Sequence, residues 1–481
     1  MLVMVMAGSA FATTHLVPQE HSSIQAAINV CSNYDTVLVA PGTYSGAGNY
    51  NINMRGKALT ITSTEPNNPD VVAETIIDCQ GKASAFVFYT GETEASKIKG
   101  FTIQNGYGFY GGGIYCFNSS SPIISNCVIK NNFATFGGGI GCNNSASKPK
   151  IYNCSIVANS AYIGGGGIYC NGASPVFVNC LISGNKADNG SINGNKVGNG
   201  GAIYSHNPGS PVIRSCTITD NYAAISAGGI YAYSSSNVTI SNSILWGNTA
   251  NYAPEILVAK NGDAATVSVE YCNVQNPDLK VVCEQGCTLN WGPGNISQTP
   301  DFVAEGSIDG QAYIAGDYHI IKQSPCVDTG DPQLILMPSE TDIDGNPRLA
   351  GERIDIGADE VPMPVSITVN ATPKTLNTES NGNWINCTLE VPEGYEIVNI
   401  SLDSIKLNDQ IGPEWTAYED EKLVVKFSRS EVQDMAGDSE ELLLTVSGSL
   451  TNNPAGFEGS DTINILQKGG NEAKVCKSGK K

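Results

Sequence analysis

At 481 residues the chain is long enough for two or three domains, and its 53 glycines with only 15% charged residues describe a turn-dense β protein. The net charge of −20 is unevenly placed: 13 basic and 15 acidic residues precede position 301, and 13 and 31 follow, giving −2 and −18. That balance argues against nucleic acid as a partner, and no uninterrupted apolar segment is long enough to span a bilayer.

In chain order, residues 1–12, MLVMVMAGSAFA, carry an apolar run ending in Ala10-Phe11-Ala12, the cleavage pattern of a signal peptide truncated at its basic end. The expected location is therefore secreted or at the cell surface. Residues 22–32, SSIQAAINVCS, place Ile24, Ala27, Ile28 and Cys31 on one face after serines able to cap a helix. Strand-like runs follow at 36–40, 58–62, 75–78, 85–89 and 98–103, separated by Gly, Pro and Asn turns. One cap helix ahead of many short strands describes a plugged solenoid.

The segment GGGIYCFNSSSPIISNCVIKNN at 111–132 returns in variant form at Gly137, Gly165, Gly200 and Gly228, a period of about 26 to 28 residues for most coils. Strand alternation sends Ile114, Ile140, Ile168, Ile203 and Ile230 inward, and Tyr115, Gly141, Tyr169, Tyr204 and Tyr231 outward. Cys116, Cys142 and Cys170, continued by Ser205 and Ala232, then point in again. Cys127, Cys154, Cys180 and Cys216, continued by Ser243, form a second column, so both columns read as buried thiols. Cys283 and Cys287 are placed to pair, whereas the absence of any CxxC or Cys/His cluster argues against zinc.

A second strand is anchored by Ile124, Ile151, Phe177, Ile213 and Ile240, and a third by Ile129, Ile156, Ile182, Ile218 and Leu245. Between them Asn126, Asn153, Asn179 and Asn242, with Ser215 as the exception, suit a bend whose amides stack from coil to coil. Another series, Asn132, Asn159, Asn185, Asn221 and Asn248, marks the end of the third strand. Three short strands per coil predict a parallel β-helix with coils about 4.8 Å apart. About ten extra residues around Lys186–Asn199 must project as a loop.

The GG(G/A)I and C-x-I-x-x-N pattern resembles the repeats of right-handed parallel β-helix proteins, including bacterial polymorphic outer-membrane-type repeats. The phrases GPGNISQTPDFV (292–303), DYHIIKQSPCVDTGDP (317–332) and DIDGNPRLAGERIDIGADE (342–360) resemble the closing segment of secreted bacterial β-helix proteins of the choice-of-anchor type. The likeness covers roughly residues 15 to 360, and it implies architecture more than activity. The expected fold is all-β: a β-helix over 13–361 with an N-terminal cap helix and a closing segment at 330–361. From 362 to 468 acidic, alternating strands read as a β-sandwich. There LVVKFSRSEV and LTVSGSL…FEGSDTINIL resemble an immunoglobulin-like accessory domain, which implies display or binding. Residues 469–481 read as a disordered tail.

Enzymes that cleave pectin and alginate use scaffolds this chain resembles, so a polysaccharide lyase acting on an acidic glycan is one expectation, but fold alone does not carry it. Hydrolysis needs paired carboxylates, and Ca²⁺-dependent elimination an acidic cluster with a base. Between Gly111 and Ala250 the acids are Asp188 and Asp220 alone. Lys130, Lys186, Arg214 and His206 are the residues able to supply a base, with those near the Lys186–Asn199 loop first.

The outward column Tyr115, Tyr169, Tyr204 and Tyr231, flanked by Phe117, His206 and Tyr233, offers flat faces with hydroxyl rims suited to sugar rings. Plain cross-strand packing is the competing account. The reading favoured is a non-catalytic adhesion or structural protein recognising extracellular polysaccharide or a cell-surface glycan along this flank, with no cofactor. Asp342, Asp344 and Asn346 open like a calcium loop, but Arg353 stands where a bidentate Glu belongs, so a structural turn is favoured over Ca²⁺.

Overall fold

The computed structural model describes residues 12–466 apart from 189, 193–194, 310–311, 337–339, 420, 438 and 452. The signal-peptide expectation, but for residue 12, and the tail expectation lie outside the described residues. The chain divides into two compact units, Met1–Val361 and Pro362–Lys481.

In the first unit the strands stack into four parallel ladders. Ladder I has eleven strands from Thr14–Val17 to Thr288–Trp291, and ladder II nine from Gly42–Tyr44 to Asn273–Val274. Ladder III has eight from Phe86–Phe88 to Val281–Cys283, and ladder IV six from Tyr107–Tyr110 to Thr249–Tyr252. This is a right-handed parallel β-helix. Register runs identical residue to identical residue: Ile114 faces Ile140, then Ile168, Ile203 and Ile230, all fully buried. β-Branched side chains fill such inward positions because each packs on its copy one coil away.

The helix Ile24–Val30 plugs the first coil with Ile24, Ala27 and Ile28 buried, and the Ser23 hydroxyl accepts from Ala26 N at 3.2 Å as its cap. A second short helix, Pro69–Glu74, was not foreseen. The 186–199 insertion forms an antiparallel hairpin, Gly190–Ile192 with Asn195–Val197.

Three features differ from the sequence reading. Each regular coil has a fourth strand, on ladder IV, whose inward residues are Ala134, Ala161, Ala187 and Ala223; alanine leaves no periodic large-apolar signal. Second, the stacked amides belong to the other asparagine series. Asn126, Asn153, Asn179 and Asn242 do make the I–II bend, at φ of 55, 50, 53 and 49°, but their amides bond to other segments, Asn126 to Asn67 and the rest to residues 331–342. It is Asn132, Asn159, Asn185, Asn221 and Asn248 that form a buried ladder. Each amide donates to the next Oδ1 at 2.9–3.0 Å, and Asn248 donates to Glu255 Oε2 at 2.6 Å. Each Oδ1 from Asn159 onward also accepts the backbone N–H of the preceding asparagine at 3.0 Å.

Third, Cys283 and Cys287 are both free, Cys283 exposed. The buried columns explain why serine replaces cysteine. Cys127, Cys154, Cys180 and Cys216 each direct Sγ to the carbonyl two residues back at 3.2–3.3 Å, and Ser243 Oγ does the same at 2.8 Å. A weak S–H donor and a hydroxyl thus perform one task at the bend.

The closing segment does not sit over the end of the helix. It runs back along the I–II bend, where Asn153 Nδ2 donates to Thr341 Oγ1 and Asp342 O at 2.7 Å, and Asn179 Nδ2 donates to Thr341 O. Further along, Gly357 N donates to Asn242 O at 2.9 Å and Ala358 N to Thr217 Oγ1 at 3.1 Å. Its core is the fully buried Arg348, whose Nη1 reaches Glu360 Oε2 at 3.0 Å and Asp359 O at 2.9 Å while Nη2 donates to the carbonyls of Asp355 and Gly357.

The second unit is a sandwich of a four-stranded and a five-stranded sheet. Val369, Ile385, Leu389, Val425 and Phe427 of one sheet share a core with Leu444, Val446, Phe457 and Ile463 of the other. A helix, Arg429–Ala436, follows directly on the strand Lys422–Ser428.

Candidate functional site

Ladders III and IV meet at the glycine run of each repeat. The corner is sharp: Gly111, Gly137, Gly165 and Gly200 have φ of 63–67°, and a Cβ on Gly111 would lie 2.2 Å from Ile114 O. On the outside of a convex corner, side chains of two adjacent sheets diverge. Here they touch. Phe136 of ladder IV stacks on Tyr169 of ladder III with centroids 4.7 Å apart, and Tyr110 stacks on Tyr115 at 5.7 Å and on Tyr169 at 5.9 Å. The corner is therefore covered by a layer of aromatic rings in mutual contact. The ladder IV register shifts between the pairs Ala134–Ala161 and Phe136–Gly164, the mark of a bulge in the strand Ser160–Gly164, whereas Phe136 pairs in register with Tyr110 one coil earlier.

The rings form one connected series. Tyr89, Phe117, Tyr115, Tyr110, Tyr169, Tyr204, Tyr231, Tyr233 and His206 follow one another at centroid separations of 4.5–5.9 Å. All seven residues proposed from sequence lie in it. Their accessibility departs from the expectation of an open stripe, since Tyr169 and Tyr204 are only 4% and 9% exposed, covered by neighbouring rings. Tyr115, Phe117, Tyr231, Tyr233 and His206 are half-buried, and Tyr115 Oη accepts from Asn143 Nδ2 at 2.9 Å. The more open faces belong to residues the sequence reading passed over: Phe109 at 62%, Tyr107 at 55%, Tyr89 at 42% and Tyr162 at 36% exposed. For those on ladder IV the signal was present, since YGFY, FATF and AYI directly precede three of the glycine runs.

The series carries no charge near neutral pH. Burial pushes the hydroxyls of Tyr169, Tyr204, Tyr231 and Tyr115 above their usual range, so they stay protonated, and burial lowers His206, which stays neutral.

The groups considered for acid–base work are scattered. Lys130 lies on ladder II, Arg214 on ladder I, His206 on ladder III and Lys186 on ladder IV. Arg214 Nη2 pairs with Glu340 at 2.9 Å. Asp220 is engaged by Tyr318, whose hydroxyl donates to Oδ2 at 2.7 Å, and burial raises this carboxyl. A cleft of about 610 Å³ opens between Pro66–Val72 and Glu340–Gly345 over the I–II bend. The amides of Asn153 and Asn179 on its floor are already bound to the closing segment.

The calcium-like residues make a closed turn. Asp342 Oδ1 accepts from Asp344 N at 3.0 Å and Asn346 N at 2.7 Å, and its Oδ2 accepts from Asn346 Nδ2 at 3.2 Å and Glu360 N at 3.3 Å. Asp344 turns instead to His319 Nε2 at 2.7 Å, and with Asp317 it raises that imidazole to about 10.

A family model described as the right-handed β-helix region matches residues 42–190 and 162–297, together just over half of the chain. No curated protein matches. Among solved structures, a crystal structure of pectate lyase Pel9A is similar with a TM-score of 0.40 at 14% identity, over 73% of this chain and 97% of that one. Among the described residues no helix is long and apolar enough to cross a membrane.

Proposed function

Since the chain belongs to the right-handed β-helix family, we propose that its β-helix is an extracellular adhesion surface that binds an extended polysaccharide along the aromatic corner between ladders III and IV. The observation that carries this is the contact of the open ring of Phe109 with Tyr110 and Phe136, which belong to the aromatic layer that reaches the buried Tyr169, with Tyr107 and Tyr162 exposed on the same ladder. Sugar rings present apolar C–H faces that stack on such surfaces, and the hydroxyl rims of the tyrosines give them hydrogen-bond partners. The absence of charge in the series favours a neutral glycan over a polyuronate. In this reading the C-terminal sandwich, with its likeness to immunoglobulin-like accessory domains, serves as the spacer or attachment module. The turn at Asp342 serves structure, with no cofactor.

The test is binding of the whole chain to a panel of neutral and uronic-acid polysaccharides, with and without Ca²⁺, while watching for unsaturated products. Phe109→Ala with Tyr162→Ala is expected to weaken binding about tenfold or more with an unchanged melting temperature. Binding that ignores both substitutions would refute this corner as the binding surface, and turnover of a uronate polymer would replace adhesion by lyase chemistry.

A further inference from the structure

His15 lies on the first strand of ladder I, and the turn after it folds back so that Glu20 N and His21 N both donate to Leu16 O, at 3.0 and 3.1 Å. This brings His15 Nδ1 and His21 Nε2 to 3.3 Å, with the rings tilted 48° rather than stacked. Glu20 closes the group: each of the three residues offers a ligand atom within 4.8 Å of the others, and Glu20 Oε2 is steadied by Leu16 N at 3.0 Å. Behind His15, Asp35 approaches Nε2 at 3.4 Å, its carboxylate fixed by the backbone N–H groups of Thr13 and Ser32 at 2.7 Å.

We propose that this turn is a binding site for a transition-metal dication of the Zn²⁺ class, ligated by His15 Nδ1, His21 Nε2 and a Glu20 carboxylate oxygen. Two imidazole nitrogens bound to tetrahedral zinc at about 2.0–2.1 Å lie about 3.3–3.4 Å apart, which is the separation found. Asp35 supplies the carboxylate that ligating histidines use to fix tautomer and orientation: by accepting a hydrogen bond from Nε2–H it leaves the Nδ1 lone pair facing His21. An N–H···N hydrogen bond between the rings accounts for the distance as well, with Asp35 fixing the same tautomer, but it does not account for the Glu20 carboxylate beside both nitrogens. Three protein ligands leave a fourth position for water or an exogenous ligand. The sequence hid the site because it contains no cysteine pair; a tight turn assembles it.

The whole chain, stripped with a chelator, is titrated with Zn²⁺ by calorimetry and with Co²⁺ by visible absorption. One equivalent is expected, with tetrahedral cobalt bands and an X-ray absorption spectrum showing imidazole and oxygen but no sulfur. His21→Gln, on an accessible turn, is expected to lower affinity at least a hundredfold while the metal-free protein melts as the parent does. Asp35→Asn should keep the stoichiometry and weaken binding about 10- to 100-fold. Three results would each overturn the proposal: no uptake, a sulfur ligand, or loss of the equivalent in His319→Gln with His21→Gln unaffected. The last would move the ion to the separate His319, Asp344 and Asp359 group.

Discussion

Replacing Asn185 by alanine tests whether the internal amide ladder holds the coils together. The Asn185 side chain donates to Ile156 O at 2.8 Å and Asn221 Oδ1 at 2.9 Å, and accepts from Asn159 N and Asn159 Nδ2, both at 3.0 Å. Alanine therefore strands two buried donors and strips two acceptors. A buried donor without a partner costs about 1–3 kcal/mol, so the expected loss is about 3–5 kcal/mol, a large part of a domain stability of about 5–15 kcal/mol. Asn185→Leu fills the space, keeps rescuing water out and should be at least as damaging. The contrast is Asn126→Gly: the bend has φ of 55°, which glycine adopts freely, and the amide reaches only Asn67 Oδ1, so about 1 kcal/mol or less is expected. Urea unfolding gives the stability difference, and hydrogen exchange of the Asn159 amide gives a local readout that should quicken only in the Asn185 variants. Equal, small effects at both positions would refute the assignment of the ladder to this series.

Two further outcomes follow from buried charge. Glu255, fully buried at the end of the amide ladder with Lys280 Nζ 3.9 Å away, is raised by burial to about 8. The folded state keeps its proton up to about 8 whereas the unfolded chain releases it near the ordinary glutamate value of 4.5, so unfolding in this window releases a proton. Its contribution is thus fully present below about 4.5 and lost as pH rises through about 8; Glu255→Gln should flatten that part of a stability–pH curve, and an unchanged slope would contradict the burial argument. At the closing segment, Arg348→Met leaves Glu360 buried without its partner, an expected cost of about 3–5 kcal/mol, and adding Glu360→Met should recover much of it. A double variant as unstable as the single one would show that the arginine matters through its carbonyl contacts instead.

The sequence made the solenoid legible because the inward positions repeat one residue type. Ile114 predicts Ile140 and Ile168 as partners, and the observed register joins them. Ladder IV escaped because its wall is alanine and its outward aromatics fall at irregular positions around a bulge. The two asparagine series look alike in sequence; which one faces inward depends on how sharply each bend turns, a backbone property with no compositional trace. The aromatic column was found by alternation, yet its burial was not, because Tyr110 and Phe136 reach it from the neighbouring ladder across the corner. The Asp342 turn and the His15 group depend on contacts that no periodicity announces.

Stacked coils ordinarily touch only their neighbours, so a β-helix can fray one coil at a time from either end. The closing segment changes that for the coils carrying Asn153, Asn179, Thr217 and Asn242, because a single strap is fastened to all four. Peeling any one of them disturbs a seam shared by the rest, which welds them into one cooperative block. It also redirects mechanical load: tension arriving through the Val361–Pro362 junction enters along this strap, beside the buried Arg348, and is spread over the middle of the solenoid instead of pulling on its last coil.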